Sequence, residues 1–408
     1  MFKNILISLL FSCLFISCNE VSDPQIKDKP IIKIGVLIPE TGTANSNGES
    51  SKAAMNYLLE NKTFLNQITG ISLDYEVQLQ YFDTQTKPEL ALQGLTKMYS
   101  EGIRSFIGPF TSAELQAVMN FAESNDLVLI SPSSVTTSMS QNKKNVFRFI
   151  TDDSTQAKAV SKYLSLNNIE YLVGLYRNDV LGNDLINLIV KNRTIGELMQ
   201  NAFAYNTDLS DIISKVNDFA TRLRDAFILN NSTAAYLATF SEGSTILEEL
   251  SKNEELSNLE TLRLIGSSAF ANNSEVIKNP AASDFAIKTQ LVCPIFGLDP
   301  DTKHLWEPIV NELKSRLNRN PEIFSLIACD ALQILIRANL SAKPNDINDL
   351  KRKITEFSDV QGITGDLTLN ENKDRKYGNF NFWVIRKNGT SYNWEILSTY
   401  DSETDEIR

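Results

Sequence analysis

Ile31-Ile32-Lys33-Ile34-Gly35-Val36-Leu37-Ile38 is apolar at every position except Lys33 and Gly35. A strand with one wet face alternates apolar and polar residues, whereas one covered on both faces by crossover helices has no reason to alternate. The run therefore reads as a strand of a parallel sheet. A loop with Pro39, Gly42 and Gly48 follows, and Ser51 to Glu60 sets Ala54, Tyr57 and Leu58 at helical spacing. The alternation repeats: a strand at Tyr75 to Phe82, a helix at Pro88 to Ser100 with proline at its start, a strand at Arg104 to Ile107, a helix at Ser112 to Ser124, and a strand at Leu127 to Ile130. We expect five strands with intervening helices in one doubly wound parallel sheet.

A second series begins after Phe147-Arg148-Phe149-Ile150. Helices are expected from Ser154 to about Leu166, Gly182 to Lys191, Leu209 to about Leu229 and Ser244 to Lys252, and strands at Tyr171 to Tyr176, Glu197 to Tyr205, Ala234 to Phe240 and Leu262 to Ile265. The tail holds a strand at Ala286 to Ile295, helices at Leu305 to Leu317 and Glu322 to Leu340, and a hairpin from Phe380 to Tyr400 turning at Asn388-Gly389. Such a tail is too small for a third domain and must complete the earlier sheets, so the chain crosses between the halves several times. The fold class is α/β, with two doubly wound parallel-sheet lobes joined by a multi-strand hinge. Lobe 1 is expected to comprise 31–149 plus 291–379, and lobe 2 150–290 plus 380–408. Two lobes on a hinge form a clamp over a cleft.

The first residues have a different grammar. Lys3 precedes an apolar run from Ile5 to Ile16, closed by Ser17-Cys18. The run is shorter than the roughly 20 residues a membrane span requires and reads as a secretory leader. Asn19 to Pro30 is polar, contains Pro24 and Pro30, and reads as a flexible tether, which makes Cys18 the expected lipidation site and the protein an exported, membrane-anchored lipoprotein. Phe15 fits an ordinary cleavage site badly, and simple secretion is the competing reading. Roughly 380 residues beyond the leader exceed what one core usually serves. A formal charge of −11 argues against nucleic acid as a partner. Four cysteines, of which only Cys293 and Cys329 lie beyond Cys18, are too few for a disulfide scaffold and read as two buried thiols. The single histidine, His304, leaves little basis for a metal site and reads as an exposed helix residue.

Ile34-Gly35-Val36-Leu37-Ile38-Pro39-Glu40-Thr41-Gly42 with Gly48-Glu49, Phe106-Ile107-Gly108-Pro109-Phe110-Thr111-Ser112, Leu129-Ile130-Ser131-Pro132-Ser133-Ser134, Cys329-Asp330-Ala331-Leu332, and Gly362-Ile363-Thr364-Gly365-Asp366-Leu367-Thr368 occur in that order. Together they resemble the branched-chain amino-acid-binding family of type I periplasmic solute receptors, the extracellular receptors of ABC importers, over about Ile31 to Ile396. The resemblance implies an interlobe ligand site, an ABC permease as partner, no cofactor and no catalysis. It places ligand contacts at Thr41, Asn47, Thr111, Ser112, Ser133, Ser134, Val135, Leu181, Glu242 and Ser268.

The residues carry part of that expectation unaided. Ligands of doubly wound sheets settle beyond the carboxyl ends of strands, where loops feed helix N-termini. Thr111 and Ser112 sit at such a junction, with hydroxyls and free amides for a carboxylate or similar acceptor, and Ser133 and Ser134 sit at the next. Helix capping by Thr111 and Ser112 and a solvated loop at Ser131 to Ser140 are the plainer alternatives. Against the family pattern, Val135 stands where a hydroxyl residue is usual, Ser268 where an acid meets the substrate ammonium, and Asn47 and Leu181 where aromatic residues flank the ligand. A buried ammonium without a countercharge is costly, which argues against a zwitterionic amino acid. Glu242 is the one carboxylate near a cleft loop; it reads either as a substitute partner for that ammonium or as an acid favoured at a helix N-terminus. Asp152-Asp153 reads as a helix-start cluster, Asp299 and Asp301 as turn chemistry, and Lys143 and Lys144 as a solvated loop pair. No phosphate loop, Cys-x-x-Cys pair, nucleophile elbow or His-Glu-x-x-His stretch is present, and no catalytic residue is expected. Capture of a small polar solute for an importer is the leading expectation; a regulatory or sensory lipoprotein, such as an activator of cell-wall synthesis, is the alternative.

Overall fold

The computed structural model describes residues 29–140, 144–192, 202–402 and 404–408. The leader, Cys18, most of the tether, Lys143 and the start of the strand expected at Glu197 lie outside them. The first series runs β1 (Ile31–Ile38), α1 (Asn45–Glu60), α2 (Lys62–Thr69), β2 (Glu76–Asp83), α3 (Pro88–Ser100), β3 (Ser105–Ile107), α4 (Ser112–Ser124), β4 (Val128–Ser131) and β5 (Val146–Arg148). Its sheet has the order β2-β1-β3-β4-β5 with every pair parallel. Burial on both faces explains the unbroken run in β1. Ile34, Val36 and Ile38 share a core with Ala54, Met55 and Leu58 of α1, whereas Leu37 packs with Leu95 and Met98 of α3 and Leu115 of α4.

The second series is α5 (Asp153–Leu166), β6 (Tyr171–Arg177), α6 (Val180–Asn192), β7 (Phe203–Tyr205), α7 (Ile212–Leu229), β8 (Thr233–Ala238), α8 (Gly243–Ser251), α9 (Glu254–Ser257), β9 (Arg263–Gly266), α10 (Ser274–Lys278), α11 (Pro280–Lys288) and β10 (Val292–Phe296). After it come α12 (Lys303–Leu317), α13 (Phe324–Ser341), α14 (Ile347–Ser358), β11 (Gln361–Gly362), β12 (Gly365–Asp366), β13 (Phe380–Asn388), β14 (Ser391–Asp401) and β15 (Glu406–Ile407). The second sheet, β15-β14-β13-β10-β9-β8-β6-β7, is parallel from β7 to β10 and antiparallel from β10 to β15. The helices α12 to α14 return to the first sheet, where α13 packs on α1, α14 and β3. That helix is long and apolar enough to cross a membrane, yet most of it is buried in the core.

Four expectations are corrected. The strand predicted at Ala286 to Ile295 begins as helix: Asn279 caps α11 by accepting from the Ala282 N–H at 3.2 Å, Pro280 occupies its first turn, and the helix runs to Lys288. The lobe boundary at 291 falls before β10, which pairs with β9 and β13 in the second sheet, so the chain leaves that sheet only after Phe296. The first turn of α1 starts at Asn45, where the polar sequence reads as loop; Gly48 admits it, because a Cβ there would lie 2.0 Å from the Pro39 carbonyl oxygen. The β13–β14 hairpin turns one residue later than expected, at Gly389-Thr390, with Gly389 at φ 63°.

The crossings between lobes are stitched together by main-chain bonds. The Arg148 N–H donates to the Lys373 carbonyl and the Arg375 N–H to that of Arg148, both at 2.9 Å, and the Gly297 N–H donates to Asn379 at 2.7 Å. Arg148 is fully buried; its Nε and Nη2 each lie 2.6 Å from a different oxygen of Asp374, and Nη1 donates to the Thr136 carbonyl at 2.6 Å. Farther along, Asp330 accepts from the N–H groups of Ile363 and Thr364 at 2.6 and 3.0 Å and from the Thr364 hydroxyl at 2.6 Å. Two short motifs distant in sequence are thus one buried polar joint. Cys293 and Cys329 are buried free thiols, and His304 is an exposed residue of α12.

Candidate functional site

Each expected site residue sits where a strand ends and a helix begins, and the two lobes bring these ends face to face. Asn47, Thr111, Ser112, Ser133, Val135, Leu181 and Ser268 line one cavity, together with Ala44, Phe110, Phe240, Ala269 and Phe324. The cavity measures about 20 Å³, room for about one water molecule. Across its rim the lobes touch directly. The Ser241 N–H donates to the Thr43 carbonyl at 3.2 Å, the hydroxyls of Ser46 and Ser274 are 3.2 Å apart, and the Thr137 hydroxyl donates to Asp184 at 2.9 Å.

The lobe 1 wall is polar, and its hydroxyls divide the labour. Thr111 is committed to the helix: its Oγ1 accepts from the Glu114 N–H at 3.3 Å, while Glu114 accepts from the Thr111 N–H at 3.0 Å, a reciprocal capping box. Ser133 donates to the Phe110 carbonyl at 2.6 Å. Ser112 caps nothing; its Oγ accepts from the Ser134 hydroxyl at 3.1 Å, which leaves its own hydrogen free for a ligand. As first and second residues of α4, Ser112 and Ala113 also present N–H groups that have no carbonyl partner within the helix. Gly108 lets β3 turn into this junction: it sits at φ +95°, and a Cβ there would lie 2.3 Å from the Leu37 carbonyl oxygen.

The facing wall is apolar apart from Ser268. Leu181 lies in the first turn of α6, Phe240 follows β8 and Ala269 follows β9. The Ser268 N–H is taken by Gln156 at 2.6 Å. No lining residue is ionisable.

Three of the expected contacts fall elsewhere. Thr41 is exposed and turned to Asp83, donating through its N–H and Oγ1 at 3.1 and 2.7 Å. Ser134 lies beneath Ser112, fully buried. Glu242 is buried away from the cavity, paired with Arg177 and accepting from the Tyr205 hydroxyl at 2.8 Å. Burial works against the Arg177 charge, but Glu242 lifts its pKa above the ordinary arginine value, so this carboxylate already has its cation. Phe240, Phe324 and Ala44 escaped the sequence reading. Strand-end position was the available signal for Phe240; Phe324 arrives from the returning helix α13, which no local pattern indicates.

One buried carboxyl lies close behind the cavity. The Asp153 N–H donates to the Val135 carbonyl at 2.7 Å, and its Oδ1 accepts from Gln156 at 2.6 Å. Burial above all, then Asp184 and Asp152, pushes the Asp153 carboxyl well above the usual range, against the pull of Arg148. A carboxyl whose pKa is raised by folding stabilises fully below its unfolded value, near 3.8, and that contribution is lost as pH rises through the folded value. Asp153→Asn is therefore expected to match the parent in acid and to exceed it in stability towards neutral pH. Urea midpoints of both proteins across that range provide the check, and a gap independent of pH contradicts it.

Hinged α/β lobes meeting over a small cavity without ionisable groups define an interlobe receptor. The match to the periplasmic binding protein family spans residues 31–248, more than half of the chain, and the chain belongs to that family of binding proteins. An uncharacterized protein of Methanocaldococcus jannaschii is 27% identical over 403 residues, covering 92% of this chain and 91% of its own. The leucine binding protein LivK of Thermotoga maritima has the same fold, with a TM-score of 0.73 at 18% identity over 91% of this chain and 99% of that one. A solute binding protein of an ABC transporter from R. palustris, solved in complex with benzoate, gives 0.73 at 16% identity over 90% and 96%.

Proposed function

We propose that this protein is an exported solute receptor that closes its lobes on a small carboxylate with an apolar body and delivers it to an ABC importer. The observation that carries this is the asymmetry of the cavity: hydroxyls and unpaired helix N–H groups on the Ser112 side, Leu181, Phe240 and Ala269 on the other, and no carboxylate lining it. A helix N-terminus with a free hydroxyl favours an anion. An ammonium facing Leu181 and Phe240 has no countercharge, which disfavours a zwitterion. The benzoate complex of a neighbour in fold agrees with a carboxylate on an apolar body.

A ligand of that size exceeds about 20 Å³, so binding requires the lobes to part and close again. The ligand stabilises the closed form through contacts with both walls that the open form lacks. Export follows from the leader, and anchoring rests on Cys18 with the polar tether behind it. The test is a thermal-shift panel of leucine, isoleucine, 4-methylpentanoate, benzoate and benzamide. A ligand that binds only the folded state raises the midpoint. The carboxylates without an ammonium are expected to give the largest shifts; a larger shift with leucine than with 4-methylpentanoate contradicts the ligand class, and no shift with any member contradicts the receptor reading of this cavity.

A further inference from the structure

A second and much larger cavity, about 720 Å³, shares no lining residue with the first and sits against β10, β13 and β14 at the edge of the second sheet. One wall is α12, with Trp306, Val310 and Lys314; the other is the β13–β14 hairpin, with Trp383 and Ile396; Phe296, last residue of β10, also lines it. The walls thus come from both lobes, and the volume falls within the range of roughly 300–1,000 Å³ typical of small-molecule sites.

Its chemistry is one-sided. In a chain of net charge −11, the lining contains Lys303, Lys314 and Arg408 and no aspartate or glutamate. Lys303 lies 3.4 Å from Glu307 and Arg408 is paired with Asp401, neither carboxylate belonging to the lining; Lys314 has no ion pair among the described residues. Trp306 is satisfied, its Nε1 donating to the Asp299 carbonyl at 2.9 Å. The Nε1 of Trp383 is buried without a hydrogen-bond partner. Buried indole N–H groups ordinarily find an acceptor, and this one is on a residue of the cavity wall.

We infer that this cavity is a second ligand site, for an aromatic or aliphatic monoanion whose apolar body fills the space between the tryptophans and whose charge sits with Lys314. Because the walls belong to both lobes, an occupant there senses the interlobe angle, and its binding is linked to capture in the front cavity.

The probe is 8-anilinonaphthalene-1-sulfonate, an aryl anion larger than the carboxylates proposed for the front cavity, with uncharged N-phenyl-1-naphthylamine as its control and Ser112→Ala to report any binding at the front site. Titration into the full chain is expected to give saturable fluorescence that weakens as salt rises, with the neutral analogue binding less tightly. Lys314→Glu, an exposed position where refolding is not at stake, is expected to weaken the anion roughly fivefold and to leave the neutral probe unchanged. Ser112→Ala, in the front cavity, is expected to leave both unchanged. Non-saturable fluorescence, equal affinity for anion and neutral analogue, indifference to Lys314→Glu, or loss on Ser112→Ala each overturns the site. None of these outcomes depends on the ligand class assigned to the front cavity.

Discussion

Arg148→Met is expected to destabilise the protein by about 3–5 kcal/mol, the usual consequence of removing one member of a buried ion pair. Arg148 and Asp374 are both shielded from water, with side-chain exposures of 0% and 1%, and the pair is bidentate. Methionine fills much of the volume but leaves the Asp374 carboxylate without its cation and the Thr136 carbonyl without the donor at 2.6 Å. The cost arises from desolvated groups deprived of their guanidinium partner more than from the attraction itself, so the double change Arg148→Met with Asp374→Leu should recover most of it. Urea midpoints of the three variants decide the matter. A single variant within about 1 kcal/mol of the parent, an effect typical of exposed pairs, would show that this joint is wet in solution. Because the pair ties β5 to the segment that runs between β12 and β13, its loss should also loosen the hinge, seen as an expanded small-angle scattering profile before unfolding begins.

Ser112→Ala is expected to weaken the carboxylate that shifts the midpoint most in the thermal panel by about 1.5–3 kcal/mol, roughly tenfold to a hundredfold in Kd, the range for a hydrogen bond to a charged group. Stability in the absence of ligand should change little, since Ser112 gives up only the contact with Ser134 at 3.1 Å. Thr111→Ala should show the converse, losing about 1 kcal/mol of stability with its helix cap and little affinity. Calorimetric titration beside urea denaturation of both variants separates the two roles. Equal affinity in Ser112→Ala and the parent would remove the carboxylate from this junction.

The double winding was written in the chain because burial on both faces erases alternation, and β1 shows it residue by residue: Ile34 and Val36 face the α1 core and Leu37 the α3 core. The same local logic pointed to Ser112 and Ser133, since strand ends and helix starts mark the ligand face of such sheets, and the family resemblance added Asn47, Leu181 and Ser268; all five line one cavity. Only part of the hydroxyl chemistry could be assigned that way. Thr111 and Ser112 are adjacent and chemically alike; the Thr111-x-x-Glu114 spacing is a capping-box signature legible in the chain, whereas the meeting of the Ser112 hydroxyl with that of Ser134, 22 residues on, is decided by packing. Nor could sequence foresee that Glu242 already has Arg177, because ion pairing at a separation of 65 residues depends on where β6 and β8 lie in the sheet. The lobe 1 boundary was misplaced for a related reason: Val292 to Phe296 is an apolar strand whose partner, β9 or the first sheet, is a choice between surfaces of similar chemistry. Local pattern is carried by neighbours a few residues apart and is legible in the chain. Closure of the cavity, the arrival of Phe324 and the pocket between α12 and the β13–β14 hairpin depend on contacts between residues far apart in the chain, and only the packed lobes decide them.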